Sequence, residues 1–203
     1  MFARFTELSS KDRQKAESIG KESILPAAKQ QKGYRGVFLA TNREGEGVFL
    51  SLWNSEADLE ANEQSGYYQE QVNKLKPYLT KPTVRHIGEV TAQEFTGKTP
   101  KAARLTITPL KPGTREDAIK LAREVLNAAR KEHGFVGWCG VVTEDNKAAA
   151  ISFWDSEESM KETTGRYLAD AMKRLKEYAA AESKPTTFDA VVVHEVATPA
   201  GVR

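Results

Sequence analysis

The chain says nearly the same thing twice. Sliding it by 101 residues places Gly33 on Gly134, Tyr34 on Phe135, Gly36 on Gly137, Ser51 on Ser152, Trp53 on Trp154, Ser55 on Ser156 and Glu56 on Glu157 without a gap. After one deletion in the second copy the shift is 100, and it matches Tyr67 to Tyr167, Leu75 to Leu175, Lys76 to Lys176 and Tyr78 to Tyr178. Matches kept in order over a whole half-chain indicate a duplication, so the fold must be built from two like units.

Each copy carries the same order of elements. "FARFTEL" and "AARLTIT" alternate apolar and polar residues as short strands do. In the second copy Pro and Gly of "KPGTRED" make a turn, Thr114 caps a helix with Asp117 three residues on, and Ala118, Ala122, Val125 and Ala129 recur at helical spacing. In the first copy Ser9 and Asp12 take the capping roles, and Pro26 should kink or break the helix. A hairpin follows in each half, "GYRGVFLA" to "GVFLSLW" and "GFVGWCGVV" to "AAAISFW". Ser55 and Ser156 then sit at the N-cap of a second helix, with Glu56 and Glu157 near its positive end. Its apolar stripe is Tyr68, Val72, Leu75 and Leu79 in one copy and Leu168, Met172, Leu175 and Ala179 in the other. "TVRHIGEV" and "FDAVVVHEV" read as closing strands.

The order β-α-β-β-α-β is the split βαβ, ferredoxin-like unit of the α+β class. One such unit spans residues 1–95 and a second spans residues 100–198, with "TAQEFTGKTPK", residues 91–101, as the polar connector. The two helices cover one sheet face and leave the other in need of a partner, which a second copy in the same chain can supply.

Composition narrows the function classes. Among 203 residues, 30 Lys and Arg stand against 28 Asp and Glu, and the net charge of +2 provides no field for nucleic acid or an anionic membrane. No apolar run is long enough to cross a bilayer, and the start turns polar too early for a secretory signal, so a cytoplasmic location is expected. Cys139 is the only cysteine, and His86, His133 and His194 are scattered, which rules out a disulfide and a zinc motif.

With a strand ending in Trp, the "NSE" or "DSE" helix start and the Gly-aromatic-x-Gly entry to strand two, each half resembles the antibiotic biosynthesis monooxygenase-like domain of the dimeric α+β barrel superfamily. The resemblance covers nearly the whole chain. It implies a fused pair, with two ferredoxin-like units in tandem forming an intramolecular dimeric α+β barrel. Members of that family include cofactor-independent oxygenases acting on aromatic polyketides and haem-degrading enzymes. The latter use a histidine on the second helix, aided by Asn and Trp; residues 54–79 and 155–181 hold no histidine, and Asn62 and Thr163 stand where many members have one. Only the Trp of that trio has counterparts, Trp53 and Trp154. Haem is therefore not expected, nor any other cofactor.

Two function classes follow. One is a cofactor-independent oxygenase, or related small-molecule enzyme, acting on an aromatic or phenolic substrate in a barrel pocket. The other is a noncatalytic ligand-binding or assembly module on the same fold. The expected partners are a small molecule and, at most, a second copy forming a homodimer of the fused pair, with neither nucleic acid nor membrane. No catalytic residue is assignable.

The ligand-binding candidates are Arg4, Trp53, Arg104, Ser152 and Trp154. Strand alternation puts Arg4, Thr6, Arg104, Thr106, Ser51, Trp53, Ser152 and Trp154 on one polar-tinged sheet face, which lines the barrel if the helices cover the more apolar one. The two tryptophans either line a pocket or fill the corner between sheet and helix. The buried guanidiniums need a ligand anion, a neighbouring carboxylate or solvent. Phe49 and Leu39 are replaced by Ala150 and Gly140, which predicts the roomier pocket in the second copy, around Trp154. Cys139 reads as a buried inert thiol, and His133 as a solvated loop side chain.

Overall fold

The computed structural model describes residues 1–163 and 166–194. The described elements are β1 (Phe2–Ser9), α1 (Arg13–Ile19), a π-turn (Gly20–Ile24), α2 (Leu25–Ala28), β2 (Tyr34–Thr41), β3 (Glu46–Trp53), α3 (Glu56–Gln64), α4 (Tyr67–Leu75) and β4 (Val84–Phe95). The second half continues with β5 (Ala102–Pro109), α5 (Arg115–Ala129), β6 (Phe135–Thr143), β7 (Lys147–Trp154), α6 (Glu157–Glu162), α7 (Tyr167–Tyr178), β8 (Thr186–Phe188) and β9 (Ala190–His194). This is the expected β-α-β-β-α-β order, twice, in an α+β fold. The second repeat was expected to run to residue 198, and residues 195–198 lie outside the described ones.

Compact units and sequence repeats divide the chain differently. One unit comprises Met1–Ile87 with Ala190–Arg203, and the other Gly88–Asp189. In unit 1 the strand order is β4-β1-β3-β2-β9, and in unit 2 it is β8-β5-β7-β6-β4. The hairpin strands run antiparallel, with Arg4 opposite Ser51 and Arg104 opposite Ser152. The outer edge of β2 is taken by β9, Val37 opposite His194, and the outer edge of β6 by the second part of β4, Gly88 opposite Thr143 through Phe95 opposite Gly137. The long β4 also shortens the connector: residues 91–95 are strand, paired in backbone hydrogen bonds, and only 96–101 link the repeats.

Local chemistry sets the element boundaries. Asp12 alone caps α1, accepting from Lys15 N, while Ser9 is the last residue of β1. Thr114 stands at the start of α5 but turns its hydroxyl to Lys111 O, so the first turn of that helix relies on Glu116 and Asp117. Ser55 and Ser156 cap α3 and α6 as expected, accepting from Asp58 N and Ser159 N. Pro26 has no N–H to give the preceding turn, and the helix widens into the π-turn just before it. The Gly-aromatic-x-Gly entry has a similar cause. Gly33 and Gly134 both take φ of 74°, and a Cβ there would stand 2.3 Å from Asp58 Cγ or 2.4 Å from Ser159 Cβ.

In both units the helices cover the face that carries the arginines, threonines and tryptophans, not the more apolar face. The physical reason is polar satisfaction. Buried guanidiniums need acceptors, which the ends of α3 and α6 supply, and the indole N–H groups find theirs in Ser51 and Ser152 on the same face, whereas Phe5, Leu50, Leu105, Ile151 and Phe153 need none. That second face is sealed from solvent as well, with these residues at 2% exposure or less.

Candidate functional site

Both units contain a cavity between the sheet and its helices. The larger, about 80 Å³, lies in unit 2. Its sheet floor is Arg104, Thr106, Trp138, Gly140, Ala150 and Ser152, and α5 and α7 wall it with side chains such as Leu121, Val125, Tyr167 and Met172. The unit 1 cavity, about 60 Å³, is lined by Arg4, Thr6, Phe49, Ser51, Trp53, Tyr67, Tyr68 and Gln71 among others. Strand register explains the difference in room. Thr106, Ala150 and Gly140 form one row across unit 2, and the same row in unit 1 is Thr6, Phe49 and Leu39.

The polar end of the unit 2 cavity is a short relay. Trp154 Nε1 donates to Ser152 Oγ at 3.0 Å, which leaves the serine proton for the buried phenol of Tyr167. Trp154 also stacks on Tyr167, centroids 6.2 Å apart, and meets Phe135 edge-on at 6.0 Å. Arg104, 4% exposed, donates to the Met160 carbonyl and to Thr163 Oγ1 at 3.3 Å. Burial raises the Tyr167 pKa, opposed by the Arg104 charge and the hydrogen bonds with Ser152 and Thr163. The phenol therefore stays protonated at neutral pH and acts as a hydrogen-bonding group, not a base. Burial also lowers the Arg104 pKa, with Tyr167 opposing it, but a guanidinium keeps its charge in proteins.

Unit 1 holds the same frame with different partners. Trp53 Nε1 donates to Ser51 Oγ at 3.0 Å and its ring meets Tyr34 edge-on. Arg4 forms an ion pair with Glu63 at 3.2 Å, donates to Asn62 Oδ1 at 3.2 Å and lies 4.1 Å above the Tyr68 ring. Glu63 also takes Arg85, at 2.9 Å. Tyr67 turns its hydroxyl to the Ile24 carbonyl of the π-turn, and its pKa is pushed up to about 12 by burial and then Glu70, with Arg4 opposing.

Of the residues expected at the site, Arg104 and Ser152 meet in the unit 2 cavity and Arg4 and Trp53 in the unit 1 cavity. Trp154 is fully buried and is not among the lining residues, so it supports the polar end and does not face a ligand. The indole that does line the unit 2 cavity is Trp138, opposite Ser152 on β6. Its signal in the sequence is local, since Gly140 two residues on leaves the flat face a bulky ring needs. Asn62 and Thr163, at the positions where the resemblance puts a helix histidine, instead hold the buried arginines. A guanidinium anchored there gives iron no ligand, so these residues do not fit haem.

The remaining candidates settle simply. Burial pushes the Cys139 thiol up to about 12, so it is not a nucleophile at neutral pH. His133 is exposed, its Nδ1 3.5 Å from Ser159 Oγ, and His86 is buried with Nε2 2.9 Å from Glu7 Oε1. Among the described residues no three His, Cys, Asp or Glu side chains converge as metal ligands, and no helix is long and apolar enough to cross a membrane.

No family model matches the sequence, and no curated protein matches it. Solved structures do. The chain is similar to a presumed monooxygenase from Fusobacterium nucleatum, with 11% identity, a TM-score of 0.73 and coverage of 96% of this chain and 94% of that one. It is similar to an anthrone oxidase-like protein, with 12% identity, a TM-score of 0.71 and coverage of 99% and 96%. A third is a ferredoxin-fold protein from Listeria monocytogenes related to antibiotic biosynthesis monooxygenases, with 12% identity, a TM-score of 0.58 and 94% of both chains covered. At such identities the likeness is one of fold: the chain shares the ferredoxin-like α+β fold of these structures.

Proposed function

We propose that the chain binds an aromatic or phenolic small molecule in the unit 2 cavity and acts on it as a cofactor-independent oxygenase. The observation that carries this reading is the make-up of that cavity: apolar helix walls and the Trp138 ring along its length, with Arg104, Ser152 and Tyr167 gathered at one end. A flat substrate fits the walls, and its oxyanion fits the guanidinium and the phenol proton. No carboxylate or imidazole is among the lining residues, so the site stabilises negative charge on the substrate and does not take a proton from it. The substrate must then be acidic enough to ionise in water and rich enough in electrons to reduce dioxygen itself. A hydroxylated anthrone meets both demands. Its methylene gives up two hydrogens, one oxygen atom of O2 becomes the new carbonyl, and the other leaves as water.

The test is oxygen uptake by the full-length protein with a hydroxylated anthrone, beside the Arg104→Ala variant. Turnover above the background rate, reduced in the variant, supports the proposal. Saturable binding with no oxygen uptake sinks it in favour of the second reading, a noncatalytic binding module, which the lack of a carboxylate or imidazole to serve as general base along the cavity favours.

For the architecture we favour the intramolecular barrel, in which the two units cover each other's apolar faces. Supporting it, the face away from the helices carries almost only apolar side chains, yet is sealed.

A further inference from the structure

Gln71 lines the unit 1 cavity and is 5% exposed. Its amide orientation follows from its neighbour. Lys74 Nζ lies 3.0 Å from the amide, and an ammonium only donates, so the near atom is Oε1 and the far one is Nε2. Among the described residues Nε2 has no hydrogen-bond partner. An N–H that no protein group accepts from is left to water or a ligand, and residue 171, the same place in the second repeat, is alanine and carries no such group. The donor is thus a feature of the first repeat alone.

The surroundings select the acceptor. Arg4 is paired with Glu63, which the more exposed Arg85 shares, so an anion entering here competes with a carboxylate already in place. A cation meets Arg4 and also Lys74, which Glu70 holds at 3.2 Å. Most of the remaining wall is apolar or aromatic, Leu8, Ile24, Phe49, Tyr68 and Val72 among it; of its hydroxyls, Thr6 meets Tyr68, Ser51 accepts from Trp53, and Thr83 is the third. We infer that the unit 1 cavity is a second binding site, for an uncharged ring compound whose carbonyl oxygen accepts from Gln71 Nε2. The two halves of the duplication then bind different chemistries, a neutral ketone in unit 1 and an oxyanion in unit 2.

The experiment titrates the full-length protein with acetophenone, and separately with benzoate, a charged molecule of similar size, following the side-chain amide protons of Gln71 by NMR. Those signals are assigned by their loss in Gln71→Glu. Acetophenone should shift them saturably and benzoate should not. Gln71→Glu and Gln71→Leu should each weaken acetophenone binding by about tenfold, the loss expected for one unmade hydrogen bond. Arg104→Ala should leave acetophenone affinity unchanged, which separates this site from the oxygenase reading. Unmoved Gln71 signals in the native protein, unchanged affinity in both folded variants, or displacement of acetophenone by benzoate would each overturn the inference. The native-protein spectra decide the matter even if a variant does not fold.

Discussion

The Trp138 indole lies over Gly140: a Cβ at position 140 would stand 2.2 Å from its Cη2 and 2.5 Å from its Cζ3. The ring cannot yield by bending, since it is 3% exposed and packed against its neighbours. Gly140→Ala should therefore push the cavity floor out of place and destabilise the protein by about 1–3 kcal/mol, as overpacking does. A lower thermal midpoint is expected, together with weaker anthrone binding. The reciprocal change, Trp138→Val, copies the residue of the first repeat and should suppress the defect of Gly140→Ala; if the double variant is no more stable than Gly140→Ala, the contact is not the cause.

Ser152 accepts from Trp154 inside a dry corner, and Ser51 does the same for Trp53. Removing the acceptor strands a buried indole N–H. Ser152→Ala should cost about 1–3 kcal/mol in denaturant unfolding. Adding Trp154→Phe removes the stranded donor, so the double variant should lose less than the two single losses summed. Strict additivity would mean that the hydrogen bond contributes nothing.

Glu17 links α1 to β2. Burial acts to raise its pKa, but hydrogen bonds from Thr41 and Arg13 outweigh it and hold the carboxyl below the usual range. A group whose pKa is depressed on folding adds stability above its unfolded pKa and loses it as the pH falls through the folded value. The stability gap between native protein and Glu17→Gln should thus be constant near neutrality and shrink in acid, below the ordinary glutamate range. A gap that widens on acidification would contradict this.

Asn62 and Thr163 hold arginines where a haem ligand would be needed. Haemin titration should accordingly give no saturable one-to-one complex with the absorption band of histidine-ligated iron. If such a band forms and is lost in a His86→Ala or His133→Ala variant, that site reading fails.

The fold was legible because its signals are short-range. The repeat, the Ser55 and Ser156 caps, the Pro26 break and the glycine entries to β2 and β6 are each visible within a few residues. Which sheet face the helices cover was not, because apolar patterning alone favours the wrong face. The outcome turns on hydrogen-bond partners for Arg4 and Arg104 that lie 56 to 59 residues away. Trp138 was missed for a related reason: it has no counterpart across the repeat, where Val37 stands, so a search guided by matches passes over it. The strand exchange at β4 and β9 was hidden as well, since the closing segments read the same whichever edge they join.

That exchange makes a firm prediction about the divided chain. Cut after Gly97, the first fragment keeps β2 but lacks β9, and carries Gly88–Phe95 of β4 without β6 to pair with. The second keeps β6 with its edge open and β9 without β2. Each fragment then holds an unpaired edge and an unpaired strand, the combination that drives association between chains. Fragments 1–97 and 98–203 expressed alone should self-associate or precipitate. Refolded together they should give a one-to-one complex with the circular dichroism spectrum of the intact chain. Sedimentation of each fragment and of the mixture is the measurement. A stable monomer from either fragment would show that the exchanged strands are dispensable, and with them the division into these two units.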